Sequence, residues 1–292
     1  MKGIILAGGE GTRFYPITKA IIKQLLPVYD KPLLYYPLSV LMLLNIKDIL
    51  IISTKEALPM IKKLLGDGRK LGINIQFACQ RQPRGIADAF IIGKEFIKDD
   101  CVCLILGDNF FYGQELPSIL RSIIQSNYDG ATVFGYPVNN PCEYGVCEMD
   151  ENGRPILIEE KPKKPKSKYA VPGLYFYNND VVYIAEHITP SDRGEIEITS
   201  INNEYIRRGK LRLELLGRGV AWFDVGNPQA LRMASEFVEL IQNRQGFYIS
   251  CIEEIAWRQQ FINNKQLKLI GKELSKTDYG KYLLNLLNED AI

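Results

Sequence analysis

Short apolar runs alternating with helical stretches limit this chain to few folds. The runs are residues 4–7, 48–53, 73–78, 102–106 and 132–136. Residues 35–45, 56–65, 86–97 and 116–125 lie between them and carry helical patterns. A strand without polar alternation must be covered on both faces. Strands that alternate with helices connect in parallel, and the helices supply the two covers. The first half is therefore expected to form a mostly parallel sheet. Ligands bind such sheets beyond the carboxyl ends of the strands.

After Tyr144 the rhythm changes. Residues 145–149, 156–160 and 174–177 read as shorter, partly antiparallel strands, with a turn at Glu151-Asn152-Gly153. Helices resume at 180–187 and 198–208, then a strand at 211–216 and a helix at 229–242. The tail reads as helical, with apolar stripes at 248–261 and 278–287. The expected fold class is α/β: a Rossmann-like, mostly parallel sheet flanked by helices. An embedded region with antiparallel strands and a helical C-terminal appendage complete it.

Bulk properties exclude several functions. A net charge of +2 over 292 residues leaves no electrostatic footprint for a nucleic-acid polymer or an anionic membrane. Residues 161–168 are basic and hold two prolines, which reads as a solvated loop with Lys161 as a candidate ligand. Met1-Lys2-Gly3 leads into a strand and a Gly-Gly turn, not into a signal-peptide core, and no stretch has the length of a membrane span. A cytoplasmic protein is expected. The six cysteines form no CxxC pair and read as reduced thiols. His187 is the only histidine and falls at the end of an expected helix, where the dipole favours imidazolium and a structural role. Any metal must then be a hard ion on carboxylates, and Mg²⁺ fits.

Gly8-Gly9-Glu10-Gly11-Thr12-Arg13 follows the first strand, and Lys23 stands ten positions beyond Arg13. Glycines let backbone N–H groups approach a polyphosphate, and Arg13 and Lys23 add charge where phosphate would lie. No Gly-Lys-Ser/Thr closes a Walker A loop, and Phe14 stands where a dinucleotide fingerprint has its third glycine. A ligand-free tight turn is the alternative. Asp108 follows the run 102–106 through Gly107, and Asp224 follows Trp222-Phe223. Each reads as a metal ligand at a strand end, or as a turn or capping aspartate.

Leu6-Ala7-Gly8-Gly9-Glu10-Gly11-Thr12-Arg13, with Lys23-Gln24-Leu25-Leu26-Pro27-Val28, resembles the opening of the sugar nucleotidyltransferases. Tyr29-Asp30-Lys31-Pro32-Leu33-Leu34-Tyr35-Tyr36-Pro37 narrows the likeness to the glucose-1-phosphate thymidylyltransferases. Gly107-Asp108-Asn109, Glu143-Tyr144-Gly145-Val146, Glu159-Glu160-Lys161-Pro162, Val171-Pro172-Gly173 and Arg193-Gly194-Glu195 extend it along the chain. The resemblance implies a nucleotide-binding part over about 1–136, a sugar-binding part over about 137–245 and an appendage at 246–292. It implies attack of glucose 1-phosphate on the α-phosphorus of dTTP, giving dTDP-glucose and pyrophosphate. Gly8, Gly9, Gly11 and Thr12 would cradle the nucleotide, Arg13 the leaving pyrophosphate, and Lys23 the α-phosphate. Gln24 and Gln80 would hydrogen-bond the base, with Gly85 close to it. Asp108 and Asp224 would bind Mg²⁺. Tyr144, Gly145, Glu160 and Val171 would line the sugar pocket, and Lys161 and Arg193 would engage the sugar phosphate. A homotetramer with feedback by a downstream dTDP-sugar is also implied. Lys31 and Lys163 read as surface charges.

Some positions depart from the family pattern. Glu10 replaces a small residue, Arg81-Gln82-Pro83-Arg84 replaces Pro-Ser-Pro-Asp, Ser200 replaces Asp, and Val225-Gly226-Asn227-Pro228 replaces Thr-Gly-Thr-His. They bear on nucleotide and sugar preference, so UTP and other hexose 1-phosphates stay open. A catalytically silent nucleotide-sugar sensor is the alternative from another class.

Overall fold

Alternate residues of the first strand enter different cores. In β1 (Lys2–Leu6), Ile5 packs on one side of the sheet with Ile49, Ile51 and Ile105. Ile4 and Leu6 pack on the other side with Leu50, Ile52 and Leu104. Two-sided burial is why the run is apolar throughout. Each such side chain contributes about 1.5–3 kcal/mol on leaving water.

The computed structural model describes residues 1–126, 128–191 and 194–289. After β1 come β2 (Pro27–Val28), β3 (Lys31–Pro32), α1 (Tyr35–Leu43), β4 (Asp48–Ser53), α2 (Leu58–Leu65), β5 (Asn74–Cys79), α3 (Asp88–Ile92) and α4 (Lys94–Ile97). The middle holds β6 (Val102–Leu106), β7 (Asn109–Tyr112), α5 (Leu116–Gln125), β8 (Ala131–Pro137), β9 (Gly145–Met149), β10 (Pro155–Glu160), β11 (Tyr169–Ala170) and β12 (Leu174–Tyr177). The last part holds α6 (Val181–His187), α7 (Ile198–Arg207), β13 (Leu211–Leu215), β14 (Ala221–Asp224), α8 (Pro228–Gln245), α9 (Ile252–Arg258), α10 (Asn264–Glu273) and α11 (Asp278–Glu289).

The main sheet runs β10-β9-β11-β8-β12-β6-β1-β4-β5, with β13 also paired to β8. β5, β4, β1 and β6 are parallel, as the alternation of strands and helices predicts. β12 enters antiparallel between β6 and β8, and β8 to β10 continue the antiparallel half. The expected α/β class holds, with helices on both faces and helices at the C-terminus.

Three expectations need correction. The helix expected over 86–97 is broken at Gly93, which separates α3 from α4. A Cβ at Gly93 would stand 2.9 Å from the Ala89 carbonyl oxygen and 3.0 Å from Ile4, so the missing side chain lets the chain lie against β1. Lys31 is not a surface charge. It is 3 % exposed, pairs with Asp30 and donates to Gln242 Oε1 at 3.0 Å. The stripe over 248–261 is helical only at α9, and α10 follows with an Asn263 capping box.

Other expectations hold. Cys103, Cys147 and Cys251 are buried, and all six cysteines are free. His187 ends α6, where its Nδ1 lies 2.7 Å from the Tyr183 carbonyl oxygen and its ring stacks on Tyr183. Among the described residues, no helix is long and apolar enough to cross a membrane.

A third, smaller core lies beneath the glycine-rich turn. Phe14, Tyr36, Phe110, Val225 and Val238 meet there. Phe14 and Val225 are the chain neighbours of Arg13 and Asp224. Their burial fixes the backbone from which those two polar side chains project.

Candidate active site

The glycine-rich segment leaves β1 at Leu6 and turns over the sheet's carboxyl edge. Gly11 takes φ 62°, a left-handed value that costs glycine little. Thr18 Oγ1 donates to the Gly11 carbonyl at 2.6 Å. A Cβ at Gly11 would meet Thr18 at 3.1 Å and Lys23 at 3.3 Å, so the turn is packed onto both. Thr12 to Phe14 form a 3-10 turn in which Phe14 points inward while Arg13 stays exposed.

Asp108 and Asp224 come together because β7 and β14 pair antiparallel, with Asn109 opposite Asp224. The Val225 N–H donates to the Asp108 carbonyl at 2.9 Å and closes that register. Asn109 is the brace. Its Oδ1 accepts from Trp222 Nε1 at 2.7 Å and from the Gly173 N–H at 3.0 Å, while its Nδ2 donates to Asp108 Oδ1 at 3.0 Å. Lys23 Nζ donates to Asp108 Oδ2 at 2.5 Å. Burial and the Asp108 charge push the Asp224 carboxyl up to about 6, against the pull of Lys23, Arg13 and Lys161. A Cβ at Gly226 would lie 3.2 Å from an Arg13 nitrogen and 3.5 Å from an Asp224 oxygen. Two carboxylates and three cations thus share one small region. A cavity of about 200 Å³ opens on it, lined by Gly11, Thr12, Arg13, Lys23, Asp108 and Asp224.

A second cavity of about 540 Å³ shares Arg13, Asp108 and Asp224 with the first. Its far wall carries Tyr144, Gly145, Glu160, Lys161 and Val171. Gly145 lies opposite Glu160 in the β9–β10 pair, and a Cβ there would come within 3.2 Å of Glu160 Oε2. That oxygen accepts from Thr199 Oγ1 at 2.8 Å. Lys161 takes φ 46°, a conformation that costs a non-glycine residue about 1–3 kcal/mol. Its N–H donates to the Tyr144 carbonyl at 2.9 Å, which holds the bend at the end of β10. The bend sets its amine 3.8 Å from Glu160 Oε1.

On the other side of the glycine turn a cleft of about 830 Å³ is lined by Gly9, Glu10, Gln80 and Arg81 among others. Glu10 is exposed on its rim. Gln80 is buried, and its Oε1 faces the Gly8 Cα, where a Cβ would stand 2.6 Å away. Gly85 has φ 100°, and a Cβ there would strike the Ile196 carbonyl oxygen at 2.4 Å. On that side it packs against protein backbone. Gln24 is 2 % exposed and lines none of these three cavities, and its Oε1 has no partner among the described residues. Arg193 lies outside the described residues.

The chain pattern missed Asn109, Thr199, Asn202 and Trp222, which line the second cavity. Asn109 stands inside the Gly107-Asp108-Asn109 motif and Trp222 two positions before Asp224, which was the available signal. Asn227 departs from the family pattern and caps α8, its side chain accepting from the Ala230 N–H at 2.9 Å.

Residues 2–240 match the nucleotidyl transferase family model. The chain belongs to that family, whose members this fold and these joined cavities suit. Its relatives include a glucose-1-phosphate thymidylyltransferase of Neisseria meningitidis serogroup A, 53% identical over 99% of this chain and 100% of the relative. Among solved structures, a Bacillus anthracis protein assigned as a glucose-1-phosphate thymidylyltransferase, in complex with sucrose, superposes with TM-score 0.75 at 39% identity. It covers 81% of this chain and 94% of its own. A UDP-glucose pyrophosphorylase complexed with UDP-glucose gives TM-score 0.72 at 25% identity, over 82% and 98%.

Proposed function

We propose that this enzyme transfers a thymidylyl group from dTTP to α-D-glucose 1-phosphate, giving dTDP-glucose and pyrophosphate. The observation that carries the reading is the shared wall of Arg13, Asp108 and Asp224 between the two joined cavities. A phosphate oxygen of the sugar phosphate attacks the α-phosphorus, and the bond to the bridging β-phosphoryl oxygen breaks. Such a transfer needs alignment and charge neutralisation more than covalent catalysis. The attacking phosphate is already anionic at neutral pH, so no general base is required. Arg13 neutralises the leaving pyrophosphate, Lys23 the α-phosphate and Lys161 the sugar phosphate. Glu160, oriented by Thr199, accepts from sugar hydroxyls.

Asp108 and Asp224 would hold Mg²⁺. Both offer hard oxygen donors, and no third Asp, Glu, His or Cys joins them among the described residues. That donor set suits an ion that keeps water and phosphate ligands. When bound it neutralises phosphate charge. The division at about 136 and 245, the cytoplasmic setting, the homotetramer and feedback by a dTDP-sugar belong to the same reading, and the resemblance supports them.

A pH prediction follows from Asp224, whose carboxyl is raised to about 6. A folded value above the ordinary 3.8 means that the metal-free fold favours the protonated acid. Its penalty on stability grows as pH rises through that window and is complete above about 6. Added Mg²⁺ should therefore raise Tm more at about pH 7.5 than at about pH 5. At limiting Mg²⁺, kcat/KM should fall about tenfold per pH unit once the pH drops below about 6. Calorimetry and pH–rate profiles check both.

The nucleotide assignment is tested by pyrophosphate release from dTTP, UTP, ATP and GTP with glucose 1-phosphate. The highest kcat/KM is expected with dTTP. Uracil lacks one methyl, worth only about 1–3 kcal/mol of discrimination, so UTP should be the runner-up. Turnover confined to a purine nucleotide would sink the assignment.

A further inference from the structure

We infer that Asp88 is a specificity-determining positioning residue, which fixes the face of the Gln80 amide that meets the nucleotide base. The inference rests on the proposed transfer and on Gln80 as a base contact. Asp88 opens α3 with its side chain only 5 % exposed. Its Oδ2 accepts from Gln80 Nε2 at 3.2 Å, and its Oδ1 lies 3.7 Å from Arg84 Nε. The same Nε2 donates to the Gly85 carbonyl at 3.4 Å. Both neighbours on that side of the amide are acceptors. Turning the amide over would set Oε1 against a carboxylate and a carbonyl and leave both unpaired in a buried place, so one orientation is enforced.

In that orientation Oε1 looks toward the Gly8 loop and the cleft lined by Gly9 and Gln80. Among the described residues no donor reaches it. Gln80 therefore offers the base an acceptor. A base with an N–H between two carbonyls, the imide edge of thymine or uracil, satisfies it. Cytosine presents a ring nitrogen lone pair at that position and is rejected. Asp88 touches neither substrate nor reacting atoms; it acts through Gln80.

The test compares kcat/KM for dTTP and dCTP in the full-length parent and in Asp88→Asn. Asparagine can offer either a carbonyl or an NH₂ group to Gln80, so the amide is free to turn. The dTTP over dCTP preference should fall by about tenfold or more, through KM for dTTP and a gain with dCTP. The KM for glucose 1-phosphate should stay within about twofold, since that substrate is remote from Gln80. Asp88→Ala supplies the same readout if the first variant fails to fold. Folded variants that keep the parent's ratio within about twofold overturn the inference and leave the function standing. A parent that prefers dCTP to dTTP overturns the function as well.

Discussion

Asp108→Asn should lower kcat/KM for dTTP-dependent pyrophosphate release by about 10³-fold, the scale of removing a preorganised electrostatic group. The change is nearly isosteric. Its remaining oxygen can still accept from Asn109 Nδ2, while an NH₂ group replaces the oxygen that faces Lys23 and the charge is lost. Two effects then add. The site loses one of its two hard anionic donors, and Lys23 loses the partner that holds its amine at 2.5 Å. Asp224→Asn should cost a similar factor, because β7 and β14 bring both carboxylates to one place. If both serve one ion, the double variant should lose little more than either single one. Steady-state assays across a Mg²⁺ series measure this, with circular dichroism to establish folding. A folded Asp108→Asn enzyme within about tenfold of the parent would remove Asp108 from the chemistry.

Lys31→Met should destabilise the protein by about 3 kcal/mol, the cost of leaving a buried ion-pair partner behind. Lys31 lies beside the faces of Tyr36 and Tyr248, each ring centre 5.6 Å from its Nζ. Burial pushes its ammonium group down, and the Asp30 carboxylate pulls it back. Gln242 completes the clasp. Its Oε1 also accepts from the Ile249 N–H at 2.9 Å, and its Nε2 donates to Asp30 Oδ2 at 3.0 Å. Every group in the clasp thus ties β3 to α8 and to the segment leading into α9. Methionine retains the stem volume but leaves Asp30 and Gln242 short of a donor. Urea titration at unchanged m-value reads the loss. A change below about 1 kcal/mol would mean that the clasp contributes no more than an exposed ion pair.

Much of the fold is legible in local sequence, and what is not has a common cause. The strands 48–53 and 102–106 fall where their apolar runs predict, because two-sided burial leaves an unbroken signature. The insertion of β12 between β6 and β8 leaves none. Leu174 to Tyr177 read as a strand, but nothing local names the partner. The β7–β14 pair has the same character, and it is the pair that joins Asp108 to Asp224. Chemistry at the ends of strands was readable residue by residue, whereas its assembly depends on long-range register. Lys31 was misread because charge argues for exposure, and only the fold brings Gln242 and two tyrosine rings around it. Gly85 was readable as a close-approach position, and Ile196 fills the space where its Cβ would stand. The helix break at Gly93 had its signal in the glycine itself.

The most direct test is phosphorus NMR of the purified protein with dTTP and glucose 1-phosphate, with Mg²⁺ and with excess chelator. Transfer at the α-phosphorus predicts a diphosphate-linked nucleotide sugar and free pyrophosphate appearing together in equal amounts, and only with the metal present. Orthophosphate in place of pyrophosphate, or the same rate in chelator, would contradict it.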